Sequence, residues 1–108
     1  MTSVSRLEKL EAMLSSQPDD QLLRYMLAME QDKHGKTEDS LSHMHKLMAD
    51  PVPYVPAFLM AGQSLARSGR IDEARACYSA GIQQAKQQGN AHAEGEMGQF
   101  LLALDQPG

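Results

Sequence analysis

Tryptophan is absent, cysteine occurs once, and the aromatic residues are three tyrosines and two phenylalanines. A core so short of rings has to be built from leucine, methionine and alanine. The lone Cys77 excludes an intrachain disulfide. Positive charge is scarce as well: ten Lys and Arg stand against fourteen Asp and Glu, a formal net charge of −4. Non-specific nucleic-acid binding needs a basic stripe, so that class is set aside. No apolar run approaches the ~20 residues of a membrane-spanning helix. The opening MTSVSRLEKLEAML lacks the basic-then-apolar order of a signal segment, no glycine follows Met1, and no prenylation box ends the chain. A cytoplasmic protein without a membrane partner is expected.

What is present is 108 residues, enough for one small domain with a shallow core. Eight methionines and few β-branched residues favour helices throughout. Residues 3 to 16 read as the first helix, with Ser3 or Ser5 as its cap and Val4, Leu7, Leu10 and Leu14 along one side. Pro18 ends that helix by disfavouring helical backbone in the residue before it. A second helix runs from Asp20 to Lys33 and stops at Gly35. A third, capped by Thr37, carries Leu41, Met44, Leu47 and Met48 up to Pro51. Pro51, Pro53 and Pro56 make a stiff connector, since each fixes a backbone angle and withholds a donor. Helices four and five follow, the fifth reaching Gln88. After a Gly89-Asn90 turn, residues 91 to 104 form a sixth helix carrying Met97, Leu101 and Leu104, and Asp105 to Gly108 are expected to fray.

Phe58 to Tyr78, FLMAGQSLARSGRIDEARACY, is the most informative stretch. Phe58, Ala61, Gly62 and Leu65 recur at helical spacing and make one inner stripe with a gap at the glycine. Gly69 suits the left-handed residue that ends a helix. Asp72 and Glu73 open the next helix at its positive end, and Ala74 and Tyr78, four apart, line its inner side. A bulky residue facing a glycine lets antiparallel helices approach closely. Gly62 is therefore expected to tolerate alanine and to reject leucine, which would overpack the contact by about 1–3 kcal/mol. The succession of aromatic, small pair and large apolar residue, then alanine, three residues and an aromatic, resembles the signature of a tetratricopeptide repeat. Asp72-Glu73-Ala74 and Ile82 also resemble that family at their positions.

Gly69 follows Gly35 by 34 residues, the period of that repeat. The same offset lays Leu27 and Ala28 under Ala61 and Gly62, Ser40 under Ala74, and Met44 under Tyr78. Arg24 stands where an aromatic is expected and Gln31 departs too, so the upstream copy is degenerate. Met97-Gly98 and Leu101 echo Ala61-Gly62 and Leu65 at an offset of 36, and Leu10, Leu14 and Pro18 resemble the closing half of a repeat. The resemblance implies an all-α solenoid of antiparallel helix hairpins, about six helices in a right-handed superhelical stack. Its divisions are expected at 3–17 (N-terminal half-repeat or cap), 19–51 (degenerate repeat), 54–89 (best-matching repeat) and 91–104 (C-terminal half-repeat or cap). Caps should be dry inside and wet outside. Arg6, Glu8, Lys9 and Glu11 give the first helix a wet side, while Gln99, Phe100 and Leu102 leave apolar groups facing outward on the last, either an interaction site or merely a wide buried face.

Catalytic constellations are thin. His43 and His45, two apart, point to opposite sides of a helix and cannot share an ion. His34 precedes Gly35 at the negative end of a helix. His92 and Glu96 are four apart but lack a third ligand. Cys77 has no histidine placed by spacing to activate it, and Arg67, Arg70 and Arg75 gather near the central turn as a solvated surface. Phosphate loop, nucleophile elbow and HExxH helix are all missing. No enzyme activity, cofactor or metal is expected.

Opposite the core stripe, the second helix carries Leu22, Tyr25, Met26 and Met29, with Lys33 beyond, and the fourth carries Leu59, Met60, Gln63 and Arg67. The resemblance implies that the first helix of each repeat lines a concave surface, which makes these residues the floor of a groove. Methionines there let one surface accept several apolar shapes. The family's best-known groove clamps a C-terminal carboxylate with Lys, Asn and Arg; here Tyr25, Met29 and Met60 largely replace them. The implied function is a non-enzymatic protein-interaction module, an adaptor, scaffold or co-chaperone-like protein. Its partner is an amphipathic helix or extended apolar segment. Tyr25, Met26, Met29, Leu59 and Met60 would supply contact area, and Gln63, Arg67 and Lys33 orientation. Three alternatives stay open: a groove closed by the chain's own last helix, a homodimer whose interface is the groove, and a small enzyme or metal carrier using His92, Glu96 and Cys77.

Overall fold

Helix ends are set by a few side chains and three glycines. The structure, a computed structural model, describes residues 5–106. It contains α1 (Arg6–Ser16), α2 (Gln21–Lys33), α3 (Thr37–Met48), α4 (Val55–Arg67), α5 (Ile71–Gln87) and α6 (Ala91–Leu104), and no strand among the described residues. Ser5, Asp20 and Asn90 accept the backbone N–H three residues on, from Glu8, Leu23 and Ala93, at 3.1, 2.9 and 3.0 Å. Ser3 and Val4, also expected in the first helix, lie outside the described residues, as do residues 107 and 108.

α2, α4 and α5 end in one recurring turn. Gly35, Gly69 and Gly89 take φ of +77°, +77° and +71°, angles that glycine adopts without a steric penalty. The N–H of the following residue then reaches back five positions: Lys36 to the Gln31 carbonyl and Arg70 to Leu65 at 2.9 Å, Asn90 to Ala85 at 2.8 Å. This closure is so tight that α3 begins at Thr37 itself. Thr37 is thus the first helical residue and not the cap; Lys36 occupies the cap position and makes no side-chain capping bond. Asp105, expected to fray, caps the end of α6 and accepts Arg75 Nη1 at 2.6 Å.

The α4–α5 hairpin packs around Gly62. Tyr78 is 1% exposed with its ring against that glycine, as the spacing predicts. A Cβ at Gly62 would stand 2.7 Å from Tyr78 Cδ1 and Cζ and nearer still to Cε1, against ~3.5–4.0 Å for an ordinary carbon contact. The expected tolerance of alanine therefore fails: no room is left for one methyl, because the ring is held by Phe100, stacked at 5.9 Å. Gly81, three residues beyond Tyr78, is a second such position. Its Cβ would meet Met97 Sδ at 2.5 Å and Phe58 Cβ at 2.6 Å, so α4, α5 and α6 converge there. In the upstream register of Gly62 and Tyr78 stand Ala28 and Met44, both sealed from solvent in the same core cluster. Ser40 stands in the register of Ala74, its hydroxyl donating to the Ala28 carbonyl at 2.7 Å. A smaller cluster of Leu10, Leu23 and Leu27 fastens α1 to α2.

At Arg24 the degenerate copy replaces apolar burial by a polar tie. Arg24 Nη1 and Nη2 donate to the two Asp50 oxygens at 2.6 and 3.2 Å. Gln21 Nε2 donates to Asp50 Oδ2 and to the Val52 carbonyl at 2.9 and 2.8 Å. The hydrogen bonds from Arg24 and then from Gln21 hold the Asp50 carboxyl below the usual carboxylate range. From the other side, Gln88 Nε2 donates to the Pro53 carbonyl at 2.9 Å, so the proline-rich connector is gripped from both hairpins. Arg67, Arg70 and Arg75 do not form one patch. Each binds an acid on another segment, Asp32, Glu38 and Asp105, at 2.7, 2.6 and 2.6 Å.

α2 and α6 both lie against α4, whereas α1, α3 and α5 do not approach one another. The hairpins draw together on the even-numbered side and splay on the odd-numbered one. The result is a bent slab of 50 × 31 × 19 Å whose shortest extent is about two helix diameters, hence two layers.

Candidate functional site

The side on which α2, α4 and α6 draw together is the inner face. On α2, Tyr25 and Met29 are half-buried against the main core. The Tyr25 ring lies 5.3 Å from that of Tyr54, tilted by 58°. Burial first, then Tyr54 and Glu96, pushes the Tyr25 hydroxyl above the ordinary phenol value. Glu96 belongs to α6, on the far side of α4 from α2. Leu22 is 55% exposed near the start of α2, and Lys33 is exposed at its end with Nζ 3.8 Å from Glu30. On α4, Leu59 and Met60 are half-buried against the same core, Gln63 is half-buried and Arg67 is exposed. Met26 departs from the expected set. It packs into the cluster of Leu10, Leu23 and Leu27 and belongs to the α1–α2 joint, since one step along a helix turns a side chain by about 100°.

Between α4 and α6 the inner face deepens into an open cleft of about 420 Å³, lined by Met60, Gln63, Ala66, Arg67, Tyr78 and Phe100. Phe100, expected to face outward, is instead half-buried and stacks on Tyr78, the two rings 19° from parallel. Its spacing held the signal: it follows Met97 by three and Glu96 by four, which places all three on one side of α6. Leu102 does face outward, 67% exposed. At the edge of the cleft, Arg67 Nη2 donates to Asp32 Oδ2 at 2.7 Å, and Ser64 Oγ donates to Asp32 Oδ1 at 3.3 Å. Asp32, absent from the expected set, thereby positions the guanidinium with a charge-assisted bond.

No protein-family model matches the chain. It is 29% identical over 99 residues to a TPR repeat-containing protein of Pseudomonas aeruginosa, spanning 92% of this chain and 94% of that one. It is also similar to the solution structure of a tetratricopeptide repeat domain protein from Salinibacter ruber, at 30% identity and a TM-score of 0.76. That match covers 82% of this chain and 89% of the other. The chain belongs to the tetratricopeptide-repeat family. A Bordetella parapertussis protein of known solution structure is similar too, with 30% identity, a TM-score of 0.78, and 94% and 89% of the two chains covered. Repeats of this family are, as a class, non-enzymatic protein-interaction modules.

The rest of the tetratricopeptide scaffold offers more polar recesses. A groove of about 540 Å³ opens where α3 and α5 splay, but its Arg70 is already bonded to Glu38 and Glu73. His92 and Glu96 share a recess on α6 with Ala91, Gly95 and Gln99. Among the described residues no three His, Cys, Asp or Glu side chains gather as a metal site requires. His43 is half-buried, and burial followed by the Lys46 charge pushes it below the ordinary histidine value. His34 caps α2 with Nε2 3.3 Å from Glu30 Oε1. Cys77 is buried, and desolvation followed by Glu73 pushes its thiol up, away from the thiolate that nucleophilic chemistry uses. Among the described residues no helix is long and apolar enough to cross a membrane.

Proposed function

We propose that this chain is a non-enzymatic adaptor that receives an amphipathic helix or an extended apolar segment of another protein on the face made by α2, α4 and α6. In this reading α1 is a half-repeat, α2–α3 and α4–α5 are whole repeats, and α6 is a half-repeat. One observation carries the proposal: α2 and α6 flank α4 on the same side, and Tyr25, Met29, Leu59, Met60 and Phe100 lie there half-buried. These residues are anchored in the core from behind and still offer apolar area in front. Lys33 and Arg67, both exposed, supply orientation at one end. Methionine adapts to more than one apolar shape, which suits a face that adjusts to its guest.

The test is the double variant Met29→Glu, Met60→Glu. Wild type should capture a partner from the native lysate, identified by mass spectrometry and rebound in purified form, while the variant keeps its helical spectrum and loses the partner. A folded variant that binds the purified partner at the wild-type level would remove this face from consideration. The competing occupant is a second copy of the chain. A dimeric mass by light scattering at micromolar concentration, reduced to a monomer by the same double variant, would replace the adaptor with a homodimer.

A further inference from the structure

We propose that the cleft between α4 and α6 is the anchor subsite of the inner face. Its occupant is a partner helix carrying one large apolar side chain with an aspartate or glutamate one turn away. The proposal rests on reading the inner face as the partner-binding surface and adds the chemistry of what is bound.

The cleft's size selects side chains rather than backbone. At about 420 Å³ it lies near the lower end of small-ligand sites, which run ~300–1,000 Å³. Its wall is the half-buried Phe100 ring, backed by Tyr78, which is buried and fixed in turn by contact with Gly62. A rigid aromatic wall favours a tryptophan or phenylalanine ring, or a leucine, over a polar group. Such buried anchors carry most of the energy at protein interfaces.

Charge selects the second group. The acids paired with Lys33 and Arg67 are covered: the Asp32 and Glu30 side chains are 10% and 9% exposed. The cations over them are not, with Arg67 at 64% and Lys33 at 73%. An approaching partner therefore meets positive charge. Asp32 engages one nitrogen of Arg67, and a guanidinium has five N–H donors, so donors remain for an incoming carboxylate. Ring wall and guanidinium border one cleft, and on a helix the groups that reach both stand at i and i+3 or i+4.

The probe is a short alanine-rich helical peptide, acetylated and amidated, in which tryptophan is followed four residues later by glutamate, with a leucine one turn to either side. The protein contains no tryptophan, so all indole fluorescence reports the peptide. Saturable binding with a blue shift is expected, and the NMR signals of Ala66 and Phe100 should move in the wild type. Glutamate→glutamine in the peptide, or Arg67→Gln in the protein, should each weaken binding by about tenfold, as loss of a charged hydrogen bond does. Both changes together should cost no more than either alone. Ala66→Phe, filling the cleft, should abolish the blue shift while its melting curve stays cooperative. Equal binding of the two peptides, or no blue shift at millimolar peptide, overturns the proposal. Signals that move at Tyr25 and Met29 but not at Ala66 and Phe100 overturn the anchor and leave the broader face standing.

Discussion

Changing Gly62 to alanine adds a single methyl group to the α4–α5 contact, and two opposing effects set the outcome. In a helix interior, alanine is favoured over glycine by about 0.8–1.0 kcal/mol. Against this, the methyl would lie 2.7 Å from two carbons of the Tyr78 ring and closer to a third. Overpacking of a core typically costs about 1–3 kcal/mol. The upper end applies here, because the obstacle is a ring 1% exposed and stacked on Phe100, not the end of a flexible chain. A net loss of about 2 kcal/mol follows, or a fall in Tm of about 8 °C at roughly 4 °C per kcal/mol for a chain near 100 residues. Gly98→Ala is the control: it occupies the corresponding place on α6 with nothing within 4 Å, so the propensity gain is unopposed and Tm should rise by about 3 °C. Thermal and urea unfolding followed by circular dichroism measure both. Combining Gly62→Ala with Tyr78→Met reproduces the upstream pair Ala28 and Met44, and should recover part of the loss that the separate changes incur. Should Gly62→Ala melt at or above the wild type, or both alanine variants shift the same way, the close-approach argument is wrong.

The connector gives an acid-dependent prediction. Asp50 has a folded-state pKa below the ordinary value of about 3.9, so it contributes stability above that value and loses it as pH falls through the folded one. Asp50→Asn should lower Tm at neutral pH, with the gap to wild type shrinking as the pH falls below the ordinary carboxylate value and through the lower folded-state one; an undiminished gap at the acid end would contradict the ion pair. Ser40→Ala removes the hydroxyl bond to the Ala28 carbonyl and should cost about 1 kcal/mol, and an unchanged melting curve would mean that the bond contributes nothing. Cys77, buried with a raised pKa, should react with a thiol reagent about a hundredfold more slowly in the native protein than in urea. Rapid native labelling would place the thiol elsewhere.

The repeated parts of the fold were legible and the ties between repeats were not. Gly35 and Gly69, 34 apart, share a φ of +77° because one backbone geometry demands glycine, and that demand is written in single residues. Tyr78 on Gly62 was legible for the same reason, a large residue answering a missing one. Helical period says which residues share a side, but not which neighbour that side meets. Met26 therefore read as part of the groove and packs toward α1, and Phe100 read as exposed and stacks on Tyr78. Arg24 read as a defect because its partner, Asp50, lies 26 residues away and neither residue announces the other. The cleft escaped notice because its lining comes from α4, α5 and α6, and only packing brings Ala66, Tyr78 and Phe100 together.

The grip on the proline-rich connector reaches beyond stability. Stacked helical hairpins bend most easily at their junctions, like a strip of hinged tiles. Here the junction is riveted twice, by Gln21 and Arg24 on one side and by Gln88 on the other. These bonds tie the two hairpins at one set angle, so a partner of the proposed kind would meet a face shaped in advance and would itself have to conform.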